Sequence, residues 1–506
     1  MDFLKKFLKI SSKYHYPLFI FLFFYFLYSF LIYKIVPITT DEQFRYQRGS
    51  ELLSHYLNSG YLQTYITPDK EPDTYYFYVM LVNILNPKFY YEWFHLQNLL
   101  FSSIIFVAIY FIVYSYSNNK FFAVLGPLAL FLTPSFSGHL GSNPIDMPFA
   151  CLFLLNIYLI YRFRDRGFDF KKIIILGISF WLILGLRPVG YQIFFHYLVF
   201  SFLFNFKKPD FRSLVIGDIK NLILIFFVAS FLSILSWPYL GLNYFKNLPG
   251  ILFVNANYDK WDNLILFNGS YLSKSDRPWH YLLTYIFLTI PSYILFSFMG
   301  SFAKFRNNLK IGIFFVLFFN LVLYLVLKPV IYNGMRHFLY VIPLIVCLAL
   351  FGIWDLYKSN LSLKLKKAVA GLGVLSILWT TYQIINLFPN HYAYFNEVSG
   401  GFSRNYTRFE TEYWGGIYKY GSIYIRNNLS KSKPHELKVY SCNSGFSVDY
   451  YSEKKFLTTI KKTEADLIIC DYVEDRRLML KGKVIKEIKL GGVSYLFIRE
   501  NEFKSK

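Results

Sequence analysis

Cysteine is scarce: four in 506 residues are too few for a disulfide framework, and no spacing among them suggests a zinc site. Also missing is a glycine-rich phosphate loop between a strand and a helix, so nothing in the chain marks a nucleotide cradle. Acidic residues are few, 31 against 53 lysines and arginines, which leaves a formal charge of +22. That balance alone permits nucleic acid or anionic lipid as a partner. The cations sit in short clusters between apolar runs, where membrane topology by itself demands them, so no nucleic acid is expected. What the chain has in abundance is apolar surface. It is 55% hydrophobic, with 57 Phe and 45 Tyr, too apolar for one soluble domain. Runs of about 20 apolar residues recur along most of its length, as helices crossing a bilayer require.

The pattern predicts an α-helical polytopic membrane protein with about eleven spans. They fall near 16–37, 95–115, 121–139, 144–163, 171–187, 189–205, 220–239, 280–301, 311–329, 335–356 and 365–388. Lys5, Lys6, Lys9 and Lys13 precede the first run, which is too long for a signal peptide and lacks a small-residue cleavage site, so it reads as a retained signal anchor. Further cations follow the fourth span (Arg162, Arg164, Arg166, Lys171, Lys172) and the sixth (Lys207, Lys208, Arg212). Lys304, Arg306 and Lys310 follow the eighth, and Lys364, Lys366 and Lys367 the tenth. Simple alternation puts all of them on one side, which is then the cytoplasm. This predicts a multi-pass protein of the cytoplasmic membrane with its N-terminus inside and everything after 389 outside.

The outer side then receives a long loop, 38–94, and another, 240–279. Alternating polar and apolar residues (Leu52, Leu53, Tyr56, Leu57, Tyr61) suggest helices lying along the membrane surface in the first. Trp261, Leu264, Ile265 and Phe267 suggest the same for 240–275. The division is therefore a membrane part, 1–389, and an extracytoplasmic α/β domain, 390–506. The tail carries strand-like pieces at Leu437–Tyr440, Ala465–Cys470 and Val484–Phe497, the last broken by Gly491-Gly492 into a hairpin. Cys442 and Cys470 both fall there, where an oxidising compartment permits a bridge; Cys151 and Cys347 lie in apolar runs as small buried hydrophobes.

Five polar clusters map to the outer ends of the spans. They are Asp41-Glu42; His139 to Pro148, with Asn143 and Asp146; Gly185-Leu186-Arg187-Pro188; Arg277-Pro278-Trp279-His280-Tyr281; and Tyr332-Asn333-Gly334-Met335-Arg336-His337. Each alone has an ordinary explanation in helix caps, turns, interfacial aromatics or snorkelling arginines. Together they make a rim with both cations and carboxylates around one mouth. Cations can hold a phosphate, and a carboxylate can take a proton from an attacking group.

These clusters, with Tyr394 to Gly401 and Phe409-Glu410-Thr411-Glu412-Tyr413-Trp414-Gly415, resemble the GT-C glycosyltransferases of the family 39 type, which includes protein O-mannosyltransferases and aminoarabinose transferases. The resemblance covers residues 38 to 415. Two departures stand out: Ile145 where relatives often have a basic residue, and Asn333 and Met335 where they often have an acid and an aromatic.

The resemblance implies a GT-C-like bundle and an inverting transfer of a sugar from a polyprenyl-phosphate carrier to a lipid, glycan or protein acceptor at the outer face. Membrane lipids surround it, and no cofactor is implied. Asp41 is the expected general base, with Glu42 as helper or solvated neighbour. Arg187 and Arg336 are expected on the departing phosphate, His280 and His337 as secondary contacts, and His139 and Asp146 at the same mouth. Asp41, Glu42 and Asp146 could converge on a divalent metal, but relatives of this type look metal-independent. A lipid or glycan transporter is the competing reading; it calls for inverted repeats and charges at span centres, and neither is evident. A non-catalytic envelope scaffold is the third, and it would not need the polar rim.

Overall fold

The computed structural model describes residues 15–58, 77–86, 90–164, 169–256, 264–273, 275–305, 307–430 and 436–503. Lys5 to Lys13, Tyr61, Arg166, Trp261 and Arg306 lie outside the described residues.

A helical segment occupies each of the eleven expected positions, but not all are single long helices. Among the described residues, five are long and apolar enough to cross a membrane alone: Tyr91–Ser117, Phe211–Ser236, Asn308–Leu327, Arg336–Tyr357 and Leu363–Leu387. The expected span at 280–301 is instead two helices, Tyr281–Thr289 and Ser292–Gly300, bent by 108°. Pro291 sits at the break and cannot donate to the preceding turn. The expected span at 121–139 is broken into Lys120–Ala123, Leu125–Phe131 and Pro134–Ser137, the last starting on a proline. Tyr16–Ile32, Asp146–Arg162, Phe170–Leu184 and Gln192–Asn205 are helices of 14 to 17 residues.

Asp146–Arg162 and Ile342–Tyr357 form the centre of the bundle and are buried along most of their length. Peripheral helices turn Phe, Leu and Ile outward; Leu363–Leu387 is only 11% buried over its apolar window. Apolar side chains in that number tolerate lipid rather than water, so the protein is integral to the membrane.

Helix Tyr91–Ser117 fixes the two ends of the bundle. Its 27 residues span about 40 Å. Near its start His95 meets Glu42, and near its end the Tyr116 hydroxyl donates to Asp355 at 2.8 Å. Lys310 completes that second end, 2.8 Å from Asp355, while Lys172 lies 3.1 Å from Asp218. Asp218 also accepts from Tyr197, Ser201 and Asn205, so this buried pair has the extra hydrogen bonds that such pairs need. Lys172 and Lys310 are thus not solvated loop charges, as their place in the sequence suggests, but buried partners in ion pairs.

The region 240–275 is only partly helical. Helices Pro238–Leu242 and Tyr244–Ala256 are followed by a hairpin of β1 (Ile265–Phe267) and β2 (Ser270–Leu272). Asn268 and Gly269 turn it with φ of 51° and 86°, the left-handed conformation that two-residue hairpin turns require. In the loop 38–94, helices Glu42–Asn58 and Phe77–Leu85 are present.

The tail folds into a mixed five-stranded sheet of β3 (Lys438–Ser441), β4 (Leu457–Thr459), β5 (Leu467–Asp471), β6 (Val484–Leu490) and β7 (Val493–Glu500), ordered β4-β3-β5-β7-β6. β3 pairs in parallel with β4 and β5, whereas β7 is antiparallel to β5 and β6. Gly491 and Gly492, both at positive φ, close the β6–β7 hairpin. Cys442 and Cys470 are bridged, with Cα atoms 5.1 Å apart.

The α/β domain is not a free appendage. Thr40 N–H donates to the Trp414 carbonyl, Ile38 N–H to the Tyr451 hydroxyl, and the Tyr271 hydroxyl to the Val473 carbonyl. These contacts seat the domain on the end of the bundle that holds the polar clusters.

Candidate functional site

The site begins where the chain leaves its first helix. Asp41 and Glu42 are adjacent, but the helix starting at Glu42 sends their side chains in different directions. Glu42 is 1% exposed. It lies 2.9 Å from His95 Nε2 and accepts the Thr39 N–H at 2.7 Å. Burial pushes its carboxyl above the ordinary range, against the pull of His95. Asp41 instead faces a cavity and lies 3.2 Å from Arg336 Nη1.

Arg336 is the pivot. It is 5% exposed, and its guanidinium lies over the rings of Trp414 and Tyr332, at 4.6 and 5.2 Å from their centroids. Its Nε has no hydrogen-bond partner among the described residues. Trp414 Nε1 donates to His139 Nδ1 at 3.2 Å. The proton of a neutral His139 ring then belongs on Nε2, which is 3.3 Å from the Tyr413 hydroxyl.

His139 leads to the second cluster. Asn143 Oδ1 accepts the backbone N–H of Ile145 and Asp146, and its amide donates to Asp146 Oδ2 at 3.0 Å. This turn sets Asp146 at the N-terminus of its helix, where the helix dipole favours a carboxylate. Arg187, preceding the short turn Pro188–Tyr191, makes an ion pair with Asp146. Ile145, where a basic residue was a possible phosphate contact, is buried and only caps this helix.

Asp41, Arg336, His139, Asp146 and Arg187 therefore belong to one chain of contacts running through Trp414, of which only Asp41 and Arg336 line the cavity. His280 does not. It is exposed and contacts Thr284 at 3.1 Å. His337 packs edge-on against Tyr332, with ring centroids 4.7 Å apart, and does not line the cavity.

The cavity holds about 390 Å³. Its lining adds residues to which the sequence reading assigned no role. Glu410 accepts the Asn333 N–H at 3.0 Å and the Tyr281 hydroxyl at 3.3 Å. Asn333 stands at φ 58°, a conformation that asparagine tolerates, and Gly334 follows at φ 67°. That turn thereby aims its backbone N–H at Glu410. Burial raises the Glu410 carboxyl to about 7 and that of Glu412 to about 8. Glu412 is 7% exposed and accepts from the Tyr392 hydroxyl at 3.0 Å. The far wall comes from the α/β domain, with Asn443, Asp471, Glu474 and Arg477. The Phe409–Gly415 stretch was a visible signal for the two glutamates; no signal marked the tail residues.

The helical bundle, the bent pair, and a mixed α/β domain over a polar cavity make a polytopic membrane protein, and comparison with solved structures gives its fold as GT-C. The apo structure of ArnT from Cupriavidus metallidurans aligns over 96% of this chain and 99% of its own, at 10% identity and a TM-score of 0.51. ArnT bound to undecaprenyl phosphate aligns over the same shares at 11% identity and 0.48. The archaeal oligosaccharyltransferase AglB from Archaeoglobus fulgidus, in complex with an inhibitory peptide and a dolichol-phosphate, aligns over 92% of this chain and 70% of its own, at 12% identity and 0.45. No family profile and no curated protein matches the sequence.

Proposed function

We propose that this protein is a membrane glycosyltransferase that moves a sugar from a polyprenyl-phosphate carrier to an acceptor at the extracytoplasmic face, with inversion. The observation that carries the reading is the Asp41–Arg336 contact at the polar cavity, where an apolar bundle meets its α/β domain. A lipid-borne donor needs an apolar surface for its chain and a polar pocket for its phosphate-sugar, and the polar cavity here lies where the apolar bundle meets the α/β domain. ArnT, whose apo fold this chain shares, also binds undecaprenyl phosphate, which supports the choice of carrier. The basic clusters between spans support a cytoplasmic N-terminus and an outer α/β domain.

In the proposed step the acceptor oxygen or nitrogen attacks the anomeric carbon, and the bond from that carbon to the phosphate oxygen breaks. The electron pair leaves with polyprenyl phosphate, and the proton of the acceptor passes to Asp41. Arg336, whose Nε lacks a partner, receives the departing phosphate. As it does so it releases Asp41 from their resting pair. Arg187 provides a second cation, held by Asp146, and His139 fixes Trp414 beneath Arg336. Glu42 supports the helix start rather than the chemistry, His280 and His337 act at most from the periphery, and the reaction uses no metal.

The test is release of polyprenyl phosphate by purified protein from a panel of polyprenyl-phosphate sugars, with an envelope extract as acceptor and with or without a chelator. One sugar should be turned over, chelator or not. Asp41→Asn should lose about 10²–10⁴-fold of the rate, as removal of a general base does. Full turnover in Asp41→Asn removes Asp41 from the mechanism. No release from any donor by folded protein refutes the transferase reading.

A further inference from the structure

The transfer step uses one wall of the cavity. The opposite wall belongs to the α/β domain, and its chemistry identifies what would sit there. Asn443, Glu474 and Arg477 present an amide, a carboxylate and a guanidinium. The Asn443 oxygen accepts the Ser444 N–H and Arg477 pairs with one oxygen of Glu474, so the Asn443 amide N–H groups and the second Glu474 oxygen are the groups offered to hydroxyls. Tyr271 from the β1–β2 hairpin, Tyr332 and Tyr413 add aromatic faces with polar tips. Planar polar groups interleaved with tyrosine suit a polyhydroxylated ring. They suit a lipid tail poorly.

Charge narrows the choice. Five acids line the described cavity against two arginines, Arg336 and Arg477. Burial keeps Glu412 protonated and Glu410 partly so at neutral pH, which leaves Asp41, Asp471 and Glu474 as the charged carboxylates. Both arginines already face a carboxylate: Arg336 lies 3.2 Å from Asp41, and Arg477 lies 2.5 Å from Glu474. Once a donor phosphate has taken Arg336, the remaining field is negative and opposes a second anion.

We infer that the α/β domain forms the acceptor subsite, and that the acceptor is a hydroxyl-rich sugar carrying no negative charge, either neutral or amine-bearing. Asn443 and Glu474 are its specificity determinants. Asp471 is a positioning residue: its carboxylate accepts the N–H of Val473 and Glu474 and the Tyr418 hydroxyl, which fixes the start of the short helix carrying Glu474 and Arg477. The disulfide from Cys442 to Cys470 ties the Asn443 turn to the same strand end.

This inference deepens the transferase reading and rests on it, so its test is run without donor. The full-length protein in nanodiscs is titrated with three soluble trisaccharides, of N-acetylglucosamine, of glucosamine and of galacturonic acid, and binding is read by saturation-transfer NMR. The first two should bind at least tenfold more tightly than the galacturonate trimer. Asn443→Ala should weaken both by about tenfold, with an unchanged thermal midpoint. Glu474→Lys, a change on a side chain that is 20% exposed, should instead admit the galacturonate trimer. Binding of none of the three, equal binding of the anionic trimer to wild type, or unchanged binding in both variants overturns the inference. Neutral-sugar binding by a protein that never releases polyprenyl phosphate would overturn the transfer reaction and leave the sugar subsite standing.

Discussion

Glu412→Gln isolates the electrostatic cost of the cavity. Glu412 is buried, and its carboxyl is raised from the ordinary 4.5 to about 8 by burial first and by the nearby Asp471 second. A carboxylate raised on folding binds its proton more tightly in the native state than in the unfolded state. From pH 4.5 upward the unfolded chain has released that proton while the native protein still holds it, so stability falls as pH rises towards about 8. Each pH unit in that window costs about 1.4 kcal/mol, so the loss is on the order of 3 kcal/mol by pH 7. Glutamine keeps an acceptor for the Tyr392 hydroxyl and removes the titration. The assay is thermal unfolding in detergent across pH 5 to 8.5. The variant should be clearly more stable than wild type at pH 8, and the gap should close towards pH 5. The comparison matters because Glu410 and Asp471, raised by burial to about 7 and about 6, titrate in the same window in both proteins. Parallel curves, or a variant that loses stability most at high pH, would refute the reasoning. Glu412 would then be ionised and compensated in the native protein.

Two further perturbations probe the frame around the site. Gly352 faces the backbone of Ser297 and Ser301 so closely that any Cβ must displace it, so Gly352→Val should destabilise the bundle by about 1–3 kcal/mol, seen as a lower thermal midpoint; an unchanged midpoint would mean those helices do not pack as described. Replacing both Cys442 and Cys470 with serine frees a loop closed over a sequence separation of 28, which should cost the α/β domain roughly 3–4 kcal/mol by the chain-entropy relation. Limited proteolysis should then begin in that domain, and an unchanged cleavage pattern would argue that the bridge constrains nothing.

The sequence by itself determined which segments are helical and apolar, because burial in lipid leaves its mark on every residue of a run. It also determined the β6–β7 hairpin, since two adjacent glycines supply the positive φ that such a turn needs. The Asn268-Gly269 pair carried the same kind of signal, yet it sat among apolar residues that resembled an interfacial helix, and the hairpin it makes was not evident. The breaks near Pro134 and Pro291 were likewise written in proline, but hydropathy averages across them.

Only the tertiary structure decided which acids share the cavity. Asp41 and Glu42 are neighbours in sequence, and one faces Arg336 while the other is sealed against His95, because successive side chains point about 100° apart once a helix begins. Asp41 and Arg336 are 295 residues apart, and no local period connects them. The same holds for Glu474 and Arg477, polar residues of an ordinary short helix until the domain is seated on the bundle. Local pattern records what a residue does within its own helix or strand. The cavity is made where distant pieces of chain meet, and only the path of the whole chain brings them together.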